Sequence, residues 1–331
     1  MKPVRQLGAS GLLADAIERF LTHKRAVGRK YTTEEVALRL LERFLRCKGV
    51  RRLEKITPGM IDNFLSSRPR KRPRSYNHLL GTVARFFTWC TEQDLFARSP
   101  VQARPKRNTG QRIPFIFDRS GARKLLGAAR SLKDIPRARM RGKTYHAILA
   151  LLYGLGLRVG EACRLCLKDI DFDRRLLVIR QTKFYKSRLV PFGPKMEGLL
   201  REYIQARGSI FGAAEEGTPL FSFTGQEPIE PTVVSRGFRE LVTDLGIEVP
   251  PGCSFPRLHD LRHAFAVGTL LRWYRAGVNP ASRLLKLATF LGHVDPMSTA
   301  TYLTITSALF QEANRRFEAF TQPLLAEGIS Q

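Results

Sequence analysis

Acidic residues are scarce in this chain. Across 331 residues, 29 Asp and Glu stand against 56 Lys and Arg, giving a net charge of +27 and a pI near 10.7. A surplus of this size favours a polyanionic partner, nucleic acid first, with a merely basic or ribosome-associated protein as the plainer alternative. No apolar run reaches the length of a membrane span, so no membrane partner is expected. Cysteine is equally sparse: five residues, Cys47, Cys90, Cys163, Cys166 and Cys253, scattered and odd in number. With no secretory apolar segment ahead of them, they read as reduced cytoplasmic thiols and not as a disulfide framework. Cys163 and Cys166 have zinc-like spacing, but no second Cys or His pair lies at ligand distance along the chain, which leaves packing as their role and no metal site. Repeats and low-complexity tracts are absent too.

What is present is a chain long enough for two domains, with 43% hydrophobic residues, ample for a folded core. The positive charge is uneven: residues 1–112 hold 25 basic and 9 acidic side chains, net +16, and the rest of the chain 31 and 20, net +11. The amino-terminal third is therefore the better candidate to clamp a phosphate backbone.

Helical spacing dominates that third. Leu13, Ile17, Phe20 and Leu21 recur at helical intervals, as do Val36, Leu40, Leu41 and Phe44, with Thr32 or Thr33 as the expected cap. Thr57-Pro58 opens a third helix, and Leu79, Leu80, Val83, Phe86, Phe87 and Cys90 form the apolar side of a fourth. Between these two lies a basic loop, Arg68-Pro-Arg70-Lys71-Arg72-Pro-Arg74. It is either a solvated surface run or a phosphate contact, and its place within a basic helical module favours contact. Residues 99–113, polar with two prolines and a glycine, have the chemistry of a linker. Beyond it come helices near 118–132 and 143–155, and a β-hairpin or small sheet at Leu176–Ile179 and Leu189-Val190. Helices then continue to about 320.

Four pieces carry chemistry. Gly156-Leu157-Arg158 follows an apolar helix, with Glu161 one turn on to hold the guanidinium. His259-Asp260-Leu261-Arg262-His263 projects its histidines and arginine from about one helix face. Leu291-Gly292-His293 ends another apolar helix, and Tyr302 stands nine residues later. An arginine can fork two phosphate oxygens while a histidine moves a proton, and a tyrosine becomes a nucleophile once its developing charge is stabilised. Each piece alone would be an ordinary salt bridge, helix end or packed ring. Their order and spacing give them weight.

Together they resemble the tyrosine recombinase (phage-type integrase) family over nearly the whole chain. The resemblance implies a mainly α fold with a small antiparallel sheet. A helical core-binding domain would span 10–105, a linker 106–113, a catalytic domain 114–320 and a flexible tail 321–331. It implies a site-specific recombinase that joins DNA through a 3′-phosphotyrosyl link, needing neither metal nor nucleotide cofactor. Arg158 and Arg262 would clamp the scissile phosphate and His293 would hydrogen-bond it. Tyr302 would attack, His259 would assist its proton transfer, and Lys183 would protonate the leaving 5′ oxygen, with Lys186 the alternative lysine. Glu161 and His263 would support these groups from behind. Arg68, Arg70, Lys71, Arg72, Arg74, Lys186 and Arg188 would contact DNA. The implied partners are duplex DNA with specific sites and a homo- or hetero-tetramer on synapsed DNA, which could include partner recombinases in the bacterial nucleoid. A helix at 307–325 would dock on a neighbouring protomer or on its own domain. The long stretch between Arg262 and His293 resembles recombinases of transposons and other mobile elements. A non-catalytic accessory protein of the same fold and a type IB topoisomerase are the competing readings.

Overall fold

A computed structural model describes residues 13–107, 113–180, 187–293, 295, 297–300 and 302. The chain divides into two compact units, Met1–Gln111 and Arg112–Gln331.

In the amino-terminal unit, α1 (Leu13–Ala26), α2 (Thr32–Cys47), α3 (Pro58–Ser66) and α4 (Pro73–Glu92) bury one apolar side each. Pro58 and Pro73 open their helices, where the missing N–H costs nothing and φ is preset. The core is unusually aromatic: Phe20 meets Phe86, Trp89 and Tyr31, and Phe87 meets Phe96, with centroids 5.5–5.7 Å apart. Such pairs prefer tilted or edge-on geometry, which the rings here adopt. The expected threonine cap of α2 is not used. The N-cap position belongs to Tyr31, left-handed at φ 50°, and it makes no side-chain cap. Acidic Glu34 and Glu35 in the first turn offset the exposed N–H groups instead, and Glu35 pairs with Arg25 of α1.

The carboxy-terminal unit is built around α6 (Arg141–Gly154), a helix buried nearly all round from Gly142 to Leu152. Its start is capped by Asp134, whose carboxylate accepts from the N–H groups of Met140 and Arg141 at 2.9 and 2.8 Å. Against it pack α5 (Arg119–Arg130), the short α7 (Val159–Cys163), α8 (Pro194–Phe211) and α10 (Leu258–Arg275), while α9 (Pro231–Asp244) lies against α5 and α7. A three-stranded antiparallel sheet runs in the order β1 (Ile170–Asp171), β2 (Leu176–Ile179), β3 (Arg188–Pro191), with Leu177 opposite Val190 and Ile179 opposite Arg188. Leu177, Ile179 and Val190 share its buried face. After α10 come α11 (Leu284–Leu291) and α12 (Met297–Ala300). The fold is mainly helical with this one small sheet. Among the described residues no helix is long and apolar enough to cross a membrane. The expected helix at 307–325, the tail 321–331 and part of the expected linker lie outside the described residues.

Candidate active site

Two glycines in left-handed conformation make the site possible. Gly156 (φ +63°) turns the chain after α6, and a Cβ there would lie 2.6 Å from Phe265 and 2.9 Å from Leu291. Gly292 (φ +70°) ends α11, where a Cβ would lie 2.9 Å from Arg188 Nη1. Only glycine allows both the backbone angle and the close approach.

Arg158 occupies the N-cap of α7. Its own N–H donates to Glu161 Oε2 at 3.0 Å, its Nη1 donates to Oε1 at 2.7 Å, and its Nη2 donates to the carbonyl of Gly292 at 3.0 Å. Glu161, 4% exposed, takes a second guanidinium in a two-pronged bond: Arg188 donates through Nη1 and Nη2 at 2.9 and 2.8 Å. Burial alone would raise the Glu161 carboxyl, but the bonds and charge of Arg188, then those of Arg158, outweigh it and hold it at about 2. Arg188 also donates through Nε to the carbonyl of Phe290 at 3.0 Å. It therefore ties the first residue of β3 to α7 and to the end of α11. Arg188, expected to contact DNA, instead turns inward onto Glu161, its side chain only 10% exposed.

Arg262, on α10, is fully buried. Its Nη1 donates to the carbonyl of Gly156 and its Nη2 to that of Leu291, both at 2.7 Å, while Nε has no partner among the described residues. Burial, then the nearby Arg158, lowers its pKa to about 10, which leaves it charged at neutral pH.

Tyr302 is 3% exposed and sits between two histidines. Its hydroxyl is 3.0 Å from Nδ1 of His263, and its ring stacks near His293 at 6.2 Å and 22°. Burial raises its pKa, and the charges of Arg262 and Arg158 pull against that rise. His293 is held through Nδ1 to Thr299 Oγ1 at 2.7 Å, a buried partner that sequence reasoning did not pick out. His259 lies edge-on to His263 at 4.6 Å and is open to solvent on one side. All three histidines are lowered to about 4 by the protein packed around them first. Neighbouring charges follow: His263 and Arg262 at His259, Arg257 and Arg262 at His263, Arg262 and Arg158 at His293. At neutral pH they are neutral, each with one ring nitrogen to donate a hydrogen bond and one to accept.

The structure thus brings together Arg158, Glu161, Arg262, His263, His293 and Tyr302, with Arg188 added and His259 at the rim. Lys183 and Lys186 fall outside the described residues, in the segment joining β2 to β3. Among the described residues there is no group of three or more His, Cys, Asp and Glu arranged to hold a metal. In the other unit, Arg70, Lys71, Arg72 and Arg74 are exposed, Arg74 on the first turn of α4, while Arg68 is half-buried over the ring of Phe64. Arg70, Arg74 and His78 border a cavity of about 440 Å³ floored by Val36, Ala37, Leu40 and Leu79.

The profile of the phage integrase family matches residues 122–308. A protein of Sinorhizobium fredii named as an integrase/recombinase, y4rB, is 33% identical over 92% of this chain and 96% of its own. The tyrosine recombinase XerD of Pseudomonas aeruginosa is 29% identical over 80% of this chain and 83% of its own. The fold is similar to that of the Tn1549 transposon integrase solved with circular intermediate DNA. That match has a TM-score of 0.64 and 17% identity, covering 93% of this chain and all of that one (100%).

Proposed function

The chain belongs to the phage integrase family and is a tyrosine-type site-specific DNA recombinase, and from that premise we propose that Tyr302 is its nucleophile and that Arg158 and Arg262 hold the scissile phosphate. The observation that carries this reading is the burial of the Tyr302 hydroxyl beside His263 with two arginine charges acting on it. A phenol buried in apolar surroundings is inert. One flanked by fixed guanidiniums is aimed at a phosphate, because those cations stabilise both the phenolate and the pentacoordinate transition state.

The steps follow from the residues. Arg262 and Arg158 bind nonbridging oxygens, and His293, neutral and fixed by Thr299, donates to the phosphate. Tyr302 oxygen attacks phosphorus as the bond to the 5′ oxygen breaks, and that oxygen takes a proton from Lys183, or from Lys186 in the same segment. The free 5′-hydroxyl of a partner strand reverses the reaction, so the bond energy kept in the phosphotyrosine drives rejoining.

Within the amino-terminal unit, residues 10–105 serve as the core-binding domain, gripping duplex DNA with Arg68–Arg74 and the basic rim of the cavity between α2 and α4. Exchange between two sites requires four cleavages, hence four protomers on synapsed DNA. The relative named as an integrase/recombinase supports a role in moving a mobile element.

The test uses nicked duplexes cut from the DNA flanking the gene. The full chain should form a denaturant-resistant protein–DNA adduct, and Tyr302→Phe should bind with similar affinity and form none. An adduct from the Phe variant, or wild-type binding without any adduct, would overturn the reading; the second result favours an accessory protein.

A further inference from the structure

We propose that His263, and not His259, receives the proton of Tyr302 when the tyrosine attacks. The proposal rests on Tyr302 being the nucleophile. Two histidines flank Tyr302, with His259 behind one of them, and only one places a nitrogen on the hydroxyl: Nδ1 of His263, at 3.0 Å. His293 spends its Nδ1 on Thr299 and meets Tyr302 ring to ring. His259 is one helical turn before His263 on the same face, and its ring packs against the edge of His263.

The other ring nitrogen of His263 decides the tautomer. Nε2 lies 3.9 Å, beyond hydrogen-bond length, from Oδ1 of Asp260, a carboxylate with no exposed surface whose Oδ2 accepts the N–H of Arg257 at 2.9 Å and whose Oδ1 accepts from Arg257 Nη2 at 3.2 Å. An acid facing Nε2 favours the proton there and leaves the Nδ1 lone pair for the tyrosine O–H. Tyr302, His263 and Asp260 thus stand in the order nucleophile, proton acceptor, nearby carboxylate, with Asp260 acting on the imidazole through its charge.

The groups facing His263 are Asp260, Arg257, Arg262, His259, His293 and Tyr302. Burial and the arginines keep it neutral, hence able to accept, in the free protein. The phosphate that enters beside Arg262 brings negative charge to the same pocket and favours the imidazolium as the phenol ionises. In the step, the O–H proton of Tyr302 passes to Nδ1, the phenolate oxygen forms the bond to phosphorus, and the bond to the 5′ oxygen breaks. On rejoining, the tyrosine leaves and takes the proton back from His263.

The experiment measures single-turnover adduct formation by the full chain on the nicked duplexes, alongside DNA affinity, for His263→Ala, His263→Asn and His259→Ala. Removing a proton acceptor should slow adduct formation by about two to four orders of magnitude with little change in affinity. Added imidazole should restore part of the rate of His263→Ala. Asn keeps an acceptor for the tyrosine hydroxyl but takes no proton, so it should be as slow as Ala; His259→Ala should lose less. A substrate with sulfur in place of the bridging 5′ oxygen has a leaving group that needs no proton, and the His263 variants should stay slow on it. A His263→Ala rate equal to or above wild type would make the contact a restraint on the tyrosine and overturn the proposal. A His263→Asn rate near wild type, or recovery on the sulfur substrate, would also overturn it. Failure of Tyr302 itself is read separately, as an adduct formed by Tyr302→Phe.

Discussion

Replacing Glu161 by Gln isolates one charge at the centre of the site. The wild-type carboxyl, 4% exposed and bonded by two arginines, is held at about 2 against an ordinary 4.5. That difference of about 2.5 pH units corresponds to stabilisation on the order of 3 kcal/mol at neutral pH. The cost of leaving a buried partner such as Arg188 without its anion has the same size, about 3–5 kcal/mol. The sign follows from linkage. A carboxyl lowered by folding stabilises fully above 4.5, and its contribution fades as pH falls toward about 2, with about 1.4 kcal/mol of it gone by pH 3.5. The chain has two tryptophans, Trp89 in α4 and Trp273 in α10, so a Trp89→Phe background leaves Trp273 to report on the carboxy-terminal unit alone. Urea unfolding in that background should show Glu161→Gln less stable at pH 7 by about 3 kcal/mol, through the midpoint and not the slope. The gap should narrow between pH 4.5 and 3.5. A gap below about 1 kcal/mol at pH 7, or one that ignores pH in this window, would refute the assignment of Glu161 as the anion that fixes both arginines.

Two further outcomes follow from the same geometry. Gly292→Ala combines a left-handed backbone with a Cβ 2.9 Å from Arg188. It should cost about 1–3 kcal/mol in the same urea assay and slow adduct formation while DNA affinity persists. His263 and His293, lowered from 6.5 to about 4, stabilise the fold fully above pH 6.5 and lose that contribution as pH falls from 6.5 to 4. The urea midpoint should therefore fall across that range, and His263→Asn should flatten the fall.

The helical modules were legible because proline, glycine and apolar spacing act locally. Pro58 and Pro73 start helices for the same steric reason in any fold, and Gly292 ends one. The Thr32/Thr33 cap failed because Tyr31, packed against Phe20, takes the N-cap position, a choice made by tertiary packing. The expectation that Arg188 contacts DNA fails on the geometry of its strand. Its parity told otherwise, since Arg188 and buried Val190 are two apart on one strand and share a face. The family resemblance points to His259 for the tyrosine's proton, while helical spacing sets His263 close to the same face. Both lie on one side of α10, and which of them meets Tyr302 depends on where the chain beyond α11 returns. Thr299 was hidden for the same reason, being set by that return and not by any local pattern.

The arginines divide their work by what holds them. Arg188 is gripped by a carboxylate that cancels its charge, so its contribution is mechanical, joining β3 to α7 and α11. Arg158 shares that carboxylate and remains partly exposed. Arg262 is different, because its two bonded nitrogens meet backbone carbonyls, which fix a guanidinium without neutralising it. Among the described residues, Arg158, Arg188 and Arg262 against Glu161 leave two positive charges in excess. In the proposed reaction a phosphodiester carries one negative charge and gains toward a second as the Tyr302 oxygen adds. The surplus therefore matches the transition state better than the bound ground state, and it is held rigidly before reaction, which is where electrostatic catalysis gains most. An acidic residue bonded to Arg262 would have stabilised the fold more and the transition state less; the carbonyls of Gly156 and Leu291 make the opposite exchange.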